Sequence, residues 1–145
     1  MINQNKTNLN TEQESQSMSG QVKEKLLQHI KKYSFYTVLD FVCMQIEMEC
    51  FSEMDRQLAE TIANIITEVL ILPDDAPVKI SGCNLSAKNV ALIFLGVTHE
   101  HVEGVIQRFS KANYKIKHLK TYLRTALYNS FFELEAAAEN FANSC

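Results

Sequence analysis

The sequence predicts a mainly α-helical fold, a compact bundle of about five or six helices with one short β-strand or hairpin. Three observations lead there. Only four Gly and two Pro occur in 145 residues, too few for a turn-rich β architecture. Apolar residues recur at three- and four-residue steps over most of the chain, the period of one helix face. Val78, Lys79 and Ile80 alternate with the two-residue period of a strand, just before Ser81 and Gly82. With 46% hydrophobic residues, a chain of this length can bury a substantial core.

Residues 1–20 are dominated by Asn, Gln, Ser and Thr and hold too little apolar surface to offset about 1 to 2 kcal/mol of backbone entropy per residue. A disordered tail or linker remnant is expected there, and residues 21–145 are expected to form one helical domain. Val22, Leu26, Leu27, Ile30 and Tyr33 mark a first helix ending near Lys32. Ser34 is a candidate N-cap for a second, whose apolar Tyr36, Val38, Leu39, Val42, Cys43 and Ile46 suggest burial on more than one side, with Glu47 and Glu49 in its later turns. Ser52 to Asp55 reads as a helix start, its first-turn carboxylates Glu53 and Asp55 complementing the helix dipole. A ridge of Leu58, Ile62, Ile65, Ile66, Val69 and Leu70 follows, and Pro73 stops it.

Val78 to Ile80, followed by Ser81 and Gly82, reads as an extended piece or half of a hairpin closing near Cys83 to Leu85. Ser86 then caps a helix ending at Gly96, and Thr98 caps another that carries Val102, Val105, Ile106 and Phe109 inward. Asn113 is the candidate cap of an amphipathic helix from Lys115 to Phe132 with Ile116, Leu119, Tyr122, Leu123, Ala126 and Leu127 along one stripe. The Ala- and Glu-rich segment Phe131 to Asn143 is expected to form a separate last helix.

Charge is distributed unevenly. From Gly104 to Phe132 there are six cations (Arg108, Lys111, Lys115, Lys117, Lys120, Arg124) and no Asp or Glu, whereas Asp40 to Asp75 hold nine carboxylates against Arg56 alone. Since the whole chain carries -3, everything outside the basic stretch carries -3 - 6 = -9. Lys111, Lys115, Lys117, Lys120 and Arg124 are therefore the candidate contact residues for a partner protein or for nucleic acid. The alternatives are a solvated helix face, or pairing with the acidic middle of the same chain. Tyr114, Tyr122 and Tyr128 could stack on bases, but helical spacing places Tyr122 beside the apolar stripe and favours a core role for it and Tyr128.

Order and spacing also carry a family resemblance. Val78, Ile80 and Gly82, then Phe94, Leu95 and Val97, then His101, Val102, Val105 and Ile106, and finally Ile116, Tyr122, Leu123, Ala126, Leu127, Tyr128 and Asn129 follow one another as in a known series. The series resembles the C-terminal domain of plasmid replication initiator proteins of the replication initiator protein A (RepA_N) type. Asp55 to Leu70 is similar to that family's long helix, with a looser match over Tyr36 to Leu39, so the resemblance spans roughly residues 32–130. It implies a helical, non-enzymatic accessory or interaction module in plasmid or mobile-element DNA replication, docking host replication proteins such as primase. The family's winged-helix origin reader has no counterpart in the sequence, so this chain alone is not expected to recognise a plasmid origin. The segment between Asp40 and Ser52 is longer than the family pattern. Tyr122, Ala126 and Ser130 faintly resemble a phrase of DnaD-type primosome proteins, but that phrase ends in Trp, which this chain lacks.

Other chemistry finds little support. His99 and His101 lie two apart, about 200° around a regular helix, and cannot share an ion. A structural hydrogen bond near a helix start is the expected role of His101. Cys43, Cys50, Cys83 and Cys145 show no CxxC pairing and are expected to be reduced thiols. No Gly-rich phosphate loop, nucleophile elbow or acid–His constellation appears, so no catalytic residue, metal or cofactor is expected. There is no apolar run of about eighteen residues and no secretory leader pattern, which suggests a cytoplasmic protein without a membrane partner. Direct DNA binding through the basic helix, or a structural or regulatory homo-oligomer, are the alternative functions.

Overall fold

A computed structural model describes residues 19–112 and 116–144, with side-chain surroundings through residue 139. Six α-helices and one hairpin make up the described residues: α1 (Gly20–Ile30), α2 (Phe35–Gln45), α3 (Glu53–Ile71), β1 (Pro77–Ile80), β2 (Cys83–Ser86), α4 (Ala87–Phe94), α5 (His99–Lys111) and α6 (Leu119–Ser144). A mainly helical bundle with a single short hairpin is thus the architecture, as the periodicity predicts.

The helix starts follow local chemistry. Ser19, Ser34, Ser52 and Ser86 each sit in extended backbone and accept a hydrogen bond from the backbone N–H three residues on, which satisfies a donor the helix cannot. Thr98 and His101 form a reciprocal box at the start of α5, with the Thr98 N–H donating to His101 Nδ1 at 2.9 Å. His101 thereby has the structural role expected of it.

α3 is the hub, touching all five other helices. Ala59, Ile62, Ala63, Ile65, Ile66, Val69 and Leu70 are buried along it, and the one buried hydroxyl among them, Thr67, donates back to the Ala63 carbonyl at 2.8 Å. Leu27, Val42, Phe94, Val105, Leu123 and Leu127 complete a single core from the surrounding helices.

β1 and β2 pair antiparallel, Ile80 opposite Cys83, leaving a two-residue turn of Ser81 (φ 52°) and Gly82 (φ 82°). Positive φ at both turn positions matches the right-handed twist of the flanking strands, and Gly82 takes it without a Cβ penalty. The turn is tied to α6: the Ser81 N–H donates to Thr125 Oγ1 at 3.2 Å, and Arg124 Nε donates to the Lys79 carbonyl at 3.2 Å.

Four sequence expectations need correction. The helix predicted from Lys115 to Phe132 and the separate one after it are a single 26-residue helix beginning at Leu119. No Gly or Pro interrupts residues 119–144, and Ala and Glu are strong helix formers, so nothing breaks the chain at Phe131. Ile116 is half-buried but precedes the helix, and Asn113 lies outside the described residues. α2 ends at Gln45 rather than running through Glu47 and Glu49, because Glu47 turns left-handed (φ 53°) and a 3-10 turn follows at Met48–Cys50. α2 is also buried on one side only: Val38 and Val42 face the core, while Tyr36 is 77% and Met44 79% exposed. The first helix stops at Ile30, leaving Tyr33 outside it and exposed.

Candidate docking surface

The basic stretch falls where α5 ends and α6 begins. Lys111 closes α5, Lys117 lies in the approach to α6, and Lys120 and Arg124 stand on its first two turns. Lys111, Lys117 and Lys120 are exposed, whereas Arg124 is partly buried. Lys115 and Tyr114 lie outside the described residues.

These cations are engaged to different degrees. Lys120 Nζ sits 2.7 Å from Glu68 Oε2 of α3, the pairing with the acidic middle that composition left open. Arg108 Nη2 sits 2.7 Å from Glu133 Oε2, bracing α5 against α6. Arg124 serves the hairpin through the Lys79 carbonyl. Lys111 and Lys117 form no ion pair among the described residues. The Lys120–Glu68 side chains are 57% and 42% exposed, and such solvated pairs contribute about 0.2 to 1 kcal/mol, so Lys120 can exchange its partner at little cost.

Ser110 and Leu119, sequence neighbours of Lys111 and Lys120, help line a hollow of about 350 Å³ with apolar Met54, Leu58, Ile106 and Phe109 and polar Asp55, Gln57 and Thr61. Leu119 is 38% and Met54 90% exposed. The corner therefore combines accessible positive charge with accessible apolar surface, the pairing found where proteins dock on proteins. Tyr122 packs beside Phe109, ring centroids 6.2 Å apart, and Tyr128 beside Phe132 at 5.1 Å. Both rest against the core, in line with their helical spacing and away from a base-stacking role.

The histidines serve the fold. His99 Nδ1 meets the Ile46 carbonyl at 3.1 Å, its Nε2 lies 3.0 Å from Glu103, and its ring lies over Phe51 at 4.1 Å. His101 stacks on Phe131, and its buried Nε2 has no hydrogen-bond partner. Burial holds His101 below the usual histidine pKa, although Glu100 and Glu135 act the other way. Cys43, Cys50 and Cys83 are free thiols; burial first, then Asp40 and Glu60, pushes the Cys43 thiol up. Among the described residues no three or more His, Cys, Asp or Glu gather as a metal site. None of the described helices is long and apolar enough to cross a membrane.

The charge count located the cationic corner and left open its pairing with the acidic middle, where Glu68 lies, but pointed to neither Glu133 nor the Lys79 carbonyl. Glu68, Glu133 and the Lys79 carbonyl come from 45 to 52 residues, or 25 residues, away along the chain and have no local signature. Comparison of the chain with protein-family models, with curated proteins and with solved structures found no match.

Proposed function

We propose that this chain is a non-enzymatic interaction module of plasmid or mobile-element DNA replication, docking a host replication protein, primase being the partner the resemblance suggests. The observation that carries the docking half of this reading is the corner between α5 and α6. There Lys111, Lys117 and a weakly held Lys120 lie close in sequence to Ser110 and Leu119, which line a partly apolar hollow with Met54. The replication half rests on the motif series read from the sequence. Its apolar members Val78, Ile80, Phe94, Val102, Val105, Ile106, Leu123 and Leu127 share one core, which is what a domain-level resemblance requires.

Direct DNA binding is the second reading. Among the described residues the corner has few unpaired cations and both Tyr122 and Tyr128 rest against the core, which supports this reading less, since phosphate tracking draws on several simultaneous cation contacts. A titration of the purified chain against single-stranded DNA, duplex DNA and individual purified host replication proteins, primase among them, separates the two across a salt series. Protein binding with no DNA binding at low salt supports docking. DNA binding without any protein partner overturns it.

A further inference from the structure

α2 carries more apolar surface than the fold uses. Its sequence, FYTVLDFVCMQ, holds one charged residue, yet only Val38 and Val42 are buried in it. Of the nine large apolar side chains exposed among the described residues, four (Tyr33, Tyr36, Phe41 and Met44) fall within twelve consecutive positions. Tyr36, Asp40 and Met44 follow one another at four-residue steps, one outward row of the helix, and Thr37 and Phe41 form the row beside it. Isolated exposed apolar residues are ordinary, but Tyr36, Phe41 and Met44 are clustered on one side of a single helix with Asp40 among them, an amphipathic outer face.

α2 is also held firmly from its inner side, so the row is presented on a fixed support. Gln45 Nε2 donates to the Phe94 and Val97 carbonyls at 3.0 and 2.7 Å, and His99 meets the Ile46 carbonyl. The Phe35 ring meets Tyr36 edge-on, centroids 5.7 Å apart. Where α2 ends, a hollow of about 420 Å³ opens between Cys43, Met44, Glu47, Met48, Glu49 and Cys50. Thioether-rich linings accommodate varied apolar side chains because Met is flexible and polarisable.

The charge along α2 and the turn after it is acidic. Between Tyr33 and Asp55 there are five carboxylates (Asp40, Glu47, Glu49, Glu53, Asp55) and no Lys or Arg. Exposed Lys32 stands just before this stretch, and Arg56, just after it, directs its guanidinium into the Glu49 and Phe51 carbonyls. Lys31, before α2, is paired with Asp74.

We infer that the outer face of α2, Tyr36, Asp40, Phe41 and Met44 with the methionine-lined hollow at its end, docks a basic amphipathic helix of a partner protein. Apolar anchors of the partner at helical spacing would lie along Tyr36 and Met44 and enter the hollow, while its cations meet Asp40, Glu47 and Glu49. Nucleic acid and anionic lipid are repelled by the same carboxylates. The surface is separate from the α5–α6 corner and stands whether or not that corner docks anything.

The test uses the full chain and a fluorescein-labelled 18-residue peptide of Leu and Lys at amphipathic helical spacing, with the same peptide carrying Glu for Lys as control, read by anisotropy. The Lys peptide should bind and the Glu peptide should not. Met44→Glu and Asp40→Lys, both at exposed positions, should each weaken binding about ten-fold or more with unchanged circular dichroism. Lys111→Glu with Lys117→Glu should leave it unchanged, which keeps this surface distinguishable from the corner. No binding at about 0.1 mM peptide, equal binding of the Glu peptide, or binding indifferent to both α2 variants would overturn the inference. So would self-association of the wild type that Met44→Glu abolishes, since the occupant would then be a second copy.

Discussion

Breaking the Lys120–Glu68 pair is the perturbation that asks whether the cationic corner can be lent to a partner. The ammonium and carboxylate lie 2.7 Å apart, but 57% and 42% of the two side chains remain in solvent. Water screens most of the Coulomb attraction, and holding two long side chains in one geometry consumes part of the rest. The coupling between them should be about 0.2 to 1 kcal/mol. A double-mutant cycle of Lys120→Ala, Glu68→Ala and the double variant, followed by urea unfolding, isolates that coupling from the helix propensity each Ala adds. Repeating it at about 0.5 M salt, where the Debye length shrinks to several ångströms, should reduce the coupling toward zero. A salt-insensitive coupling above about 2 kcal/mol would refute the reasoning. Lys120 would then be a fixed strut between α3 and α6, and no partner could recruit it without unsettling the fold.

Other consequences follow from the core and the turn. Leu127→Ala, at a fully buried position, should cost about 2 to 5 kcal/mol in urea unfolding, whereas Met44→Ala, 79% exposed, should stay within about 0.5 kcal/mol of wild type. Gly82→Val should destabilise the chain by at least about 1 kcal/mol, because φ of 82° is closed to a β-branched residue, and thermal melts would register it. His101 should make stability pH-dependent. Its folded-state pKa lies below the usual value near 6.5, so the unfolded chain binds the proton first. Its contribution is present above that value and lost as pH falls through it, and His101→Gln, able to accept the Thr98 N–H bond, should flatten that part of the profile.

Much of the fold was legible because local signals agreed with the packing. Ser34, Ser52, Ser86 and Thr98 are caps whose oxygen lies three residues from its donor, and Val78 to Gly82 carries its strand period and turn residue together. α2 was misjudged because an apolar side chain reads the same whether the fold covers it or leaves it in solvent; Tyr36 belongs to the second kind. The end of α2 was lost for a similar reason, since Glu47 has no local feature announcing a left-handed backbone. At the candidate corner the cations were visible as a count. Their engagement with Glu68, Glu133 and the Lys79 carbonyl depends on helices meeting across the bundle, which one helix's pattern does not encode. Arg124, grouped with the contact lysines by its position, turns inward to hold the hairpin because β1 packs against α6.

The proposed docking of a replication protein at the α5–α6 corner is tested most directly by the affinity of Lys111→Glu with Lys117→Glu for purified host primase, measured by calorimetry beside the wild type. Both positions are exposed and unpaired among the described residues, so the variant should keep its unfolding curve. Binding by the wild type that weakens about ten-fold or more in the variant, and weakens further with salt, is the expected result. Wild-type binding that the double reversal leaves untouched would contradict it.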